Sequence, residues 1–407
     1  MSSTQENDPR VIHGQAGLRG LAADYRRRIA QGDIGQLPVV VGLIAICTIF
    51  QLASDGVFLD SFNLVNLTLQ MAAVGTIAIG VVLVLLLGEI DLTAGIVSGL
   101  CAAVMAVLNV KHGVSAPVAL LAGTLTGTAV GLLQGFWITR FGIPSFVVTL
   151  AGLIGWQGLL LYVLGPTGTV NLKDPLITSL AGTFFQGPVA YGLAALFLAY
   201  VAGGPLLEFR KRRAAGLSVQ PLAFVALRAV LVSVVVLLAV AKLDSDRGIS
   251  SGLVFFVGLV VGMDYLLRRT RFGRMIYAIG GNAEAARRAG IPVQRVRTIV
   301  FVLASTLAAW GGILAASRGL AVNQSAGQGA VLLNAIAAAV VGGTSLFGGR
   351  GTVWAALLGI IVIQSISNGM DLLSLQPSIK FMITGVVLLT AVTIDAVLRR
   401  GQRVAGR

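Results

Sequence analysis

Five carboxamides interrupt otherwise apolar sequence: Asn66, Gln70, Asn334, Gln364 and Asn368. Asn66 and Gln70 are four residues apart, so on a helix they share one face. A neutral amide both donates and accepts hydrogen bonds. In hydrocarbon such groups are retained only where they meet partners or water. Together they suit an uncharged, polyhydroxylated ligand. The competing use is hydrogen bonding between helices.

A second group lies in GRMIYAIGGNAEAARRAGIP, Gly273 to Pro292. Asn282 is an N-cap residue, Glu284 stands in the first turn, and Arg287 and Arg288 stand in the last. Gly290 then ends the helix and Pro292 keeps it ended. The spacing predicts a two-turn helix over Ala283–Ala289, too short to persist alone in water. Ala285, Ala286 and Ala289 give it a thin small-residue face, and Gly280 and Gly281 turn the chain into it. A short, capped, small-faced helix suits a docking peg.

Other chemistries lack residues. His13 and His112 lie outside the apolar segments, so neither a zinc cluster nor a Ser–His arrangement has candidates. Cys47 and Cys101 fall inside apolar runs and read as small hydrophobes. GGNAEA is not a dinucleotide fingerprint, and no G-x-x-x-x-G-K-[ST] occurs, so the chain has no P-loop of its own. Asp264 and Asp395 each precede an arginine, Arg268 and Arg399, by four residues and can pair on their own helices. Glu89 and Asp91 lack a local partner; Arg140 or Arg350 from neighbouring loops could serve.

These groups must be positioned by membrane helices. Of the 407 residues, 56% are hydrophobic and 11% charged. Runs of about twenty apolar residues, each able to cross a core of ~30 Å, recur from Leu37 to Leu398. The fold expected is all-α, a polytopic transmembrane bundle of about 10–12 spans. The segments are about 37–53, 64–87, 92–108, 115–137, 144–164, 189–207, 219–241, 251–267, 297–316, 331–347, 352–369 and 378–398. The weakest are 189–207 and the Ala/Gly-rich 331–347, which reads as either a full or a partial span. Glycine is abundant, 52 residues, and runs such as GTLTGTAVG (Gly123 to Gly131) place small residues on one face for close helix packing.

With the N-terminus inside, 24 of the 30 Lys and Arg fall on the inner side. That asymmetry puts both termini in the cytoplasm. The formal charge of +14 is therefore topology rather than a nucleic-acid footprint. Residues 1–36 form a cytoplasmic tail with an interfacial helix near Leu18–Ile29, 37–398 the transmembrane domain with its largest inner loop at 268–296, and 399–407 a second tail. Gly165 to Gln186 is the longest outer loop, with the Pro and Gly of a turn-rich connection. GEIDLTAG (Gly88 to Gly95) is echoed by GGTSLFGG (Gly342 to Gly349), and transporters are often built from such repeats.

FGRMIYAIGGNAEAARRAGI resembles the cytoplasmic coupling segment of bacterial ABC-transporter permeases for monosaccharides, the ribose/xylose/arabinose/galactose group. GEIDLTAG resembles that family's G-G-I-D-L-S-x-G, with Glu89 and Thr93 as departures. FGIPSFVVTLAG and VVGGTSLFGGRGTVWAALLGI are similar to further family segments. The resemblance runs from about Asn63 to Asp395, is loose between Gly165 and Gly262, and is nearest the xylose-type subgroup.

It implies a permease homodimer in the bacterial inner membrane. It also implies a partner ATPase with two nucleotide-binding domains and a periplasmic sugar-binding protein. No cofactor is expected on this chain; ATP and Mg would belong to the ATPase. ATPase coupling falls on Gly280, Gly281, Asn282, Glu284, Ala285, Ala286, Ala289 and Gly290. The amides Asn66, Gln70, Asn334, Gln364 and Asn368 are the candidate pathway for a pentose such as xylose. The alternative is an ion-coupled secondary sugar transporter, which wants an ionisable residue deep in the bundle.

Overall fold

Apolar helices dominate the computed structural model, which describes residues 37–215 and 222–404. Among the described residues, eight helices are long and apolar enough to span a membrane, and four shorter apolar helices accompany them. Each coincides with one of the twelve segments expected from hydropathy. The side chains of Asp395 and Arg399, and the interfacial helix expected near Leu18–Ile29, lie outside the described residues.

The chain divides into two compact units. The larger covers 36–184 and 250–396. It begins with α1 (Leu37–Ala53), α2 (Ser61–Leu86), α3 (Ala94–Val110), α4 (Ala116–Phe141) and α5 (Ser145–Leu164). A short strand β1 (Thr169–Asn171) and α6 (Pro175–Gly182) follow. The described part of the smaller unit contains α7 (Gly187–Ala214) and α8 (Leu222–Asp244), which pack on one another as a hairpin. Its open end is tied where the Gly187 amide donates to Asp244 at 2.7 Å and Gln186 Nε2 to the Asp246 carbonyl at 2.9 Å.

The larger unit resumes with α9 (Ser251–Arg269), α10 (Arg271–Gly281), α11 (Ala283–Arg288) and α12 (Val293–Gly319). It continues through β2 (Ala321–Asn323), α13 (Ala330–Val341) and α14 (Trp354–Leu372) into α15 (Pro377–Val404). At twelve residues, α13 is only ~18 Å long at 1.5 Å per residue, so it does not reach across the bilayer. The expected 331–347 span is thus a partial one.

Helices α2 and α12 are buried along most of their length and form the centre. Lipid supplies no hydrophobic drive between helices, so close backbone approach does the packing. The glycines of α4 show how. A Cβ on Gly123 would lie 2.8 Å from the Cys101 carbonyl, and on Gly127 2.6 Å from that of Ser305. On Gly131 it would lie 2.6 Å from the Phe301 carbonyl. The spacing of four puts these glycines on one face, as the small-residue pattern predicted.

At the other end of the bundle from α11, β1 pairs antiparallel with β2, Val170 opposite Val322. This ladder joins the loop after α5 to the loop after α12. The neighbouring α6 is started by Asp174, whose Oδ1 accepts from the Leu176 amide at 2.9 Å. Ser317 Oγ of α12 holds it, donating to the Thr178 carbonyl and accepting from the Ala181 amide, both at 3.0 Å.

Candidate functional site: a glycine-locked inner segment and an amide-bearing helix seam

The inner segment is two helices rather than one. Thr270 caps α10 by accepting from the Gly273 amide at 3.2 Å. Ile276 and Ile279 are buried on the core side, the one-face apolar pattern of a surface helix. Asn282 then takes an extended conformation, φ −161° and ψ 102°, and its Oδ1 accepts from the Ala285 amide at 2.9 Å. Gly290 closes α11 at φ +81°, the left-handed geometry that glycine adopts without Cβ strain. The helix ends at Arg288, one residue before the expected Ala289.

Glu284 pairs with Arg287 and lies 3.4 Å from Arg288. The hydrogen bond from Arg287, with its charge, holds the Glu284 carboxyl below the usual carboxylate range. Of the three alanines in the small face, Ala286 is buried against the core of its own chain. Ala285 and Ala289 are exposed. The free small-residue surface is therefore narrower than expected, because the helix spends Ala286 on its own anchorage.

Gly280 and Gly281 do not turn the chain, since both belong to α10. Gly280 instead permits a crossing. A Cβ there would lie 1.8 Å from the Leu86 carbonyl oxygen and 2.5 Å from the Gly349 nitrogen. The Gly349 amide donates to that same Leu86 carbonyl at 2.9 Å. Gly348 in turn packs on Gly88 and on the Gly280 carbonyl, each within 3 Å of where its Cβ would stand. The two echoing stretches, Gly88–Gly95 and Gly342–Gly349, thus meet each other against α10. Tyr277 adds a hydrogen bond from its hydroxyl to the Gly351 carbonyl at 2.8 Å.

Glu89 pairs with Arg297 at 3.0 Å, not with Arg140 or Arg350 as expected. Arg297 sits in the second turn of α12, just beyond α11, and reaches across to the α2–α3 junction. Asp91 meets no cation among the described residues. Its Oδ1 accepts from the Thr93 amide at 2.8 Å and the Thr93 hydroxyl at 2.6 Å. Gln134 Nε2 then donates to Thr93 Oγ1 at 2.8 Å. Asp264 meets Arg268 at 2.7 Å, the expected same-helix pair.

The amides divide by use. Gln364 Nε2 donates to Gln70 Oε1 at 2.7 Å, and Asn66 Oδ1 accepts from Arg318 at 3.2 Å. Asn368 is 2% exposed and exchanges both amide hydrogen bonds with Asn63, at 2.9 and 3.0 Å. Asn63 also donates to the Phe58 carbonyl at 2.8 Å. The Gln364–Gln70 and Asn368–Asn63 pairs stitch α2 to α14, and Asn66–Arg318 ties α2 to α12. Asn334 is half-buried and makes no side-chain hydrogen bond among the described residues. Gln364 Oε1 is buried without a partner there.

Asn63, Gln134, Tyr277, Arg297 and Arg318 all bear on these sites and are not among the site residues expected from sequence. Only Asn63 carried a local signal. It stands seven residues before Gln70 and three before Asn66, hence on their face, but hydropathy started the segment just after it.

Residues 63–392 match the family described as branched-chain amino acid transport system, permease component. The chain is 34% identical over 362 residues to the xylose transport system permease protein XylH of Escherichia coli strain K12, covering 89% of this chain and 92% of that protein. It is 36% identical to XylH of Haemophilus influenzae, covering 88% and 96%. With the ribose import permease protein RbsC of Bacillus subtilis it shares 31%, covering 92% and 97%. No solved structure matches. The chain belongs to the branched-chain amino acid transport system permease family of multi-pass membrane proteins.

Proposed function

We propose that this chain is the membrane-spanning subunit of an ATP-driven monosaccharide importer, with xylose as the first sugar to test. The observation that carries the reading is near full-length similarity to xylose permeases, joined to a capped, exposed α11 that follows α10, the helix Gly280 locks onto the bundle. ATP hydrolysis would lie on a separate ATPase that meets Ala285, Ala289 and the other exposed residues of Gly281–Gly290 in the cytoplasm, with Gly280 and Ala286 holding the segment in place. A second copy of the chain would complete the path, and a periplasmic binding protein would deliver the sugar at the inner membrane of a bacterium.

Neutral amides favour a sugar over an amino acid, whose zwitterion needs opposite charges that are free to bind it. At the α14–α15 end Asp371 is already paired with Lys380, and Arg318 donates to Asn66. The pathway reading assigns sugar contact to Asn334, to the unpartnered Gln364 Oε1, and to Asn66 and Gln70 beside them. Asn368 contributes by fixing α14 through Asn63. The test is labelled-xylose uptake into vesicles containing the chain with the ATPase and binding protein encoded beside it. ATP-dependent uptake that survives a proton ionophore supports the proposal. Uptake abolished by the ionophore and indifferent to ATP would assign the chain to ion-coupled transport.

A further inference from the structure

The hairpin of α7 and α8 has an open groove, a cavity of about 540 Å³ lined mostly by exposed residues, at the basic end of α7, and neither the coupling nor the pathway uses it. Its walls are Leu206, Phe209, Arg210, Arg213, Ala214 and Leu222. Four of these, 206, 209, 210 and 213, recur at three- and four-residue spacing and so form one stripe on α7. The stripe changes character along its length. Leu206 and Phe209 come first, on the membrane side, and Arg210 and Arg213 follow toward water.

Glu208 is the acid of this segment, and its position places it on the opposite face. There it pairs with Arg212 at 3.5 Å. Neither Arg210 nor Arg213 has a carboxylate within ion-pair reach among the described residues. Pro205, inside α7 one residue before the stripe, removes a backbone donor where such a residue bends a helix.

We infer that this cavity binds an anionic phospholipid, its phosphate between Arg210 and Arg213 and an acyl chain along Leu206 and Phe209. Guanidinium groups match phosphate oxygens in geometry and charge. Basic pockets between spans on the cytoplasmic side are places where anionic headgroups lodge. The positive-inside rule puts this end of the hairpin in that leaflet.

The experiment titrates phosphatidylglycerol into delipidated, detergent-solubilised permease and reads bound lipid by native mass spectrometry. Two basic residues near an anionic headgroup correspond to about thirty-fold in affinity. Arg210→Gln combined with Arg213→Gln should weaken binding by that factor, and each single substitution by about five-fold. Lys173→Gln, an exposed cation outside the cavity, should leave binding unchanged. Gln keeps helix propensity near that of Arg, so the lipid-free melting curves should coincide and separate lost binding from lost fold. Leu206→Ala should weaken phosphatidylglycerol and spare inorganic phosphate. Equal lipid binding by wild type and the double variant overturns the inference. Displacement of the lipid by equimolar inorganic phosphate also overturns it, because the ligand would then be free phosphate.

Discussion

Gly280 and Gly281 are adjacent glycines in one helix, and the structure expects opposite outcomes from the same substitution. Alanine in place of glycine favours a helix by up to ~1 kcal/mol. At Gly281 nothing lies within 4 Å of the new Cβ, so that gain stands or is lost to fraying at the helix end. At Gly280 the Cβ would meet the Leu86 carbonyl oxygen at 1.8 Å and the Gly349 nitrogen at 2.5 Å. Both are backbone atoms and cannot rotate away, so α10 must lift from α2 and from the loop before α14. Overpacking of this kind costs about 1–3 kcal/mol, occasionally more. The propensity gain is open to both positions, so the two variants should differ by the overpacking cost, about 1–3 kcal/mol. Thermal unfolding of the detergent-solubilised permease measures the difference, and uptake in vesicles shows whether the lifted helix still transmits. Equal unfolding of Gly280→Ala and Gly281→Ala would refute the glycine crossing.

Glu89 and Arg297 should show a coupling of about 0.5–3 kcal/mol in a double-mutant cycle of Glu89→Gln and Arg297→Gln, read by thermal unfolding; additive effects would dissolve the pair. Asn63→Leu or Asn368→Leu alone should destabilise by about 1–3 kcal/mol by orphaning a buried amide, and the double substitution should recover part of that loss, with xylose uptake per assembled complex maintained throughout. Cysteine placed at Ser179 should react with an impermeant thiol reagent in intact cells, and cysteine at Ala289 should not, as the charge asymmetry requires. Because the folded-state pKa of Glu284 is lowered, its support of α11 is present above the ordinary carboxylate range and is lost as pH falls through the lowered value. Protection of the α11 amides, measured against the intrinsic exchange rate at each pH, should fall over that acid window in wild type and stay level in Glu284→Gln.

Hydropathy and caps made much of this fold legible before the structure. The twelve apolar segments and the Asn282 cap follow from composition and local spacing, whereas the twelve-residue length of α13 came from the structure. The second inner helix is also written in the sequence, since Phe272, Met275, Ile276 and Ile279 recur at helical spacing, but Gly280 and Gly281 read as a turn and mask its continuity into Asn282. Similarly, Asp174 before Pro175 is a helix start, yet in a long outer loop it reads first as a turn. The pair at Gly280–Gly281 shows a deeper limit. Glycine serves both for turning a chain and for letting two backbones touch, and only the position of Leu86 decides between them. Partner choice was equally hidden. Glu89 has several arginines in inner loops, and the selection of Arg297 depends on how α12 crosses the α2–α3 junction. Asn368 shows the same limit: its type suits a sugar, and its pairing with Asn63 is fixed by packing.

The account rests on α11 as the place where an ATPase engages the permease, and sugar-stimulated ATP hydrolysis by the assembled complex tests that most directly. Ala286 is unsuitable for the test, since enlarging a side chain buried in its own core disturbs the permease itself. Ala285 and Ala289 are exposed, so Ala285→Trp and Ala289→Trp alter the docking surface and leave the bundle intact. The account predicts that each variant melts with wild type, and that the complex loses sugar-stimulated hydrolysis together with uptake. Wild-type hydrolysis and uptake in both variants, with tryptophan projecting from α11, would contradict it.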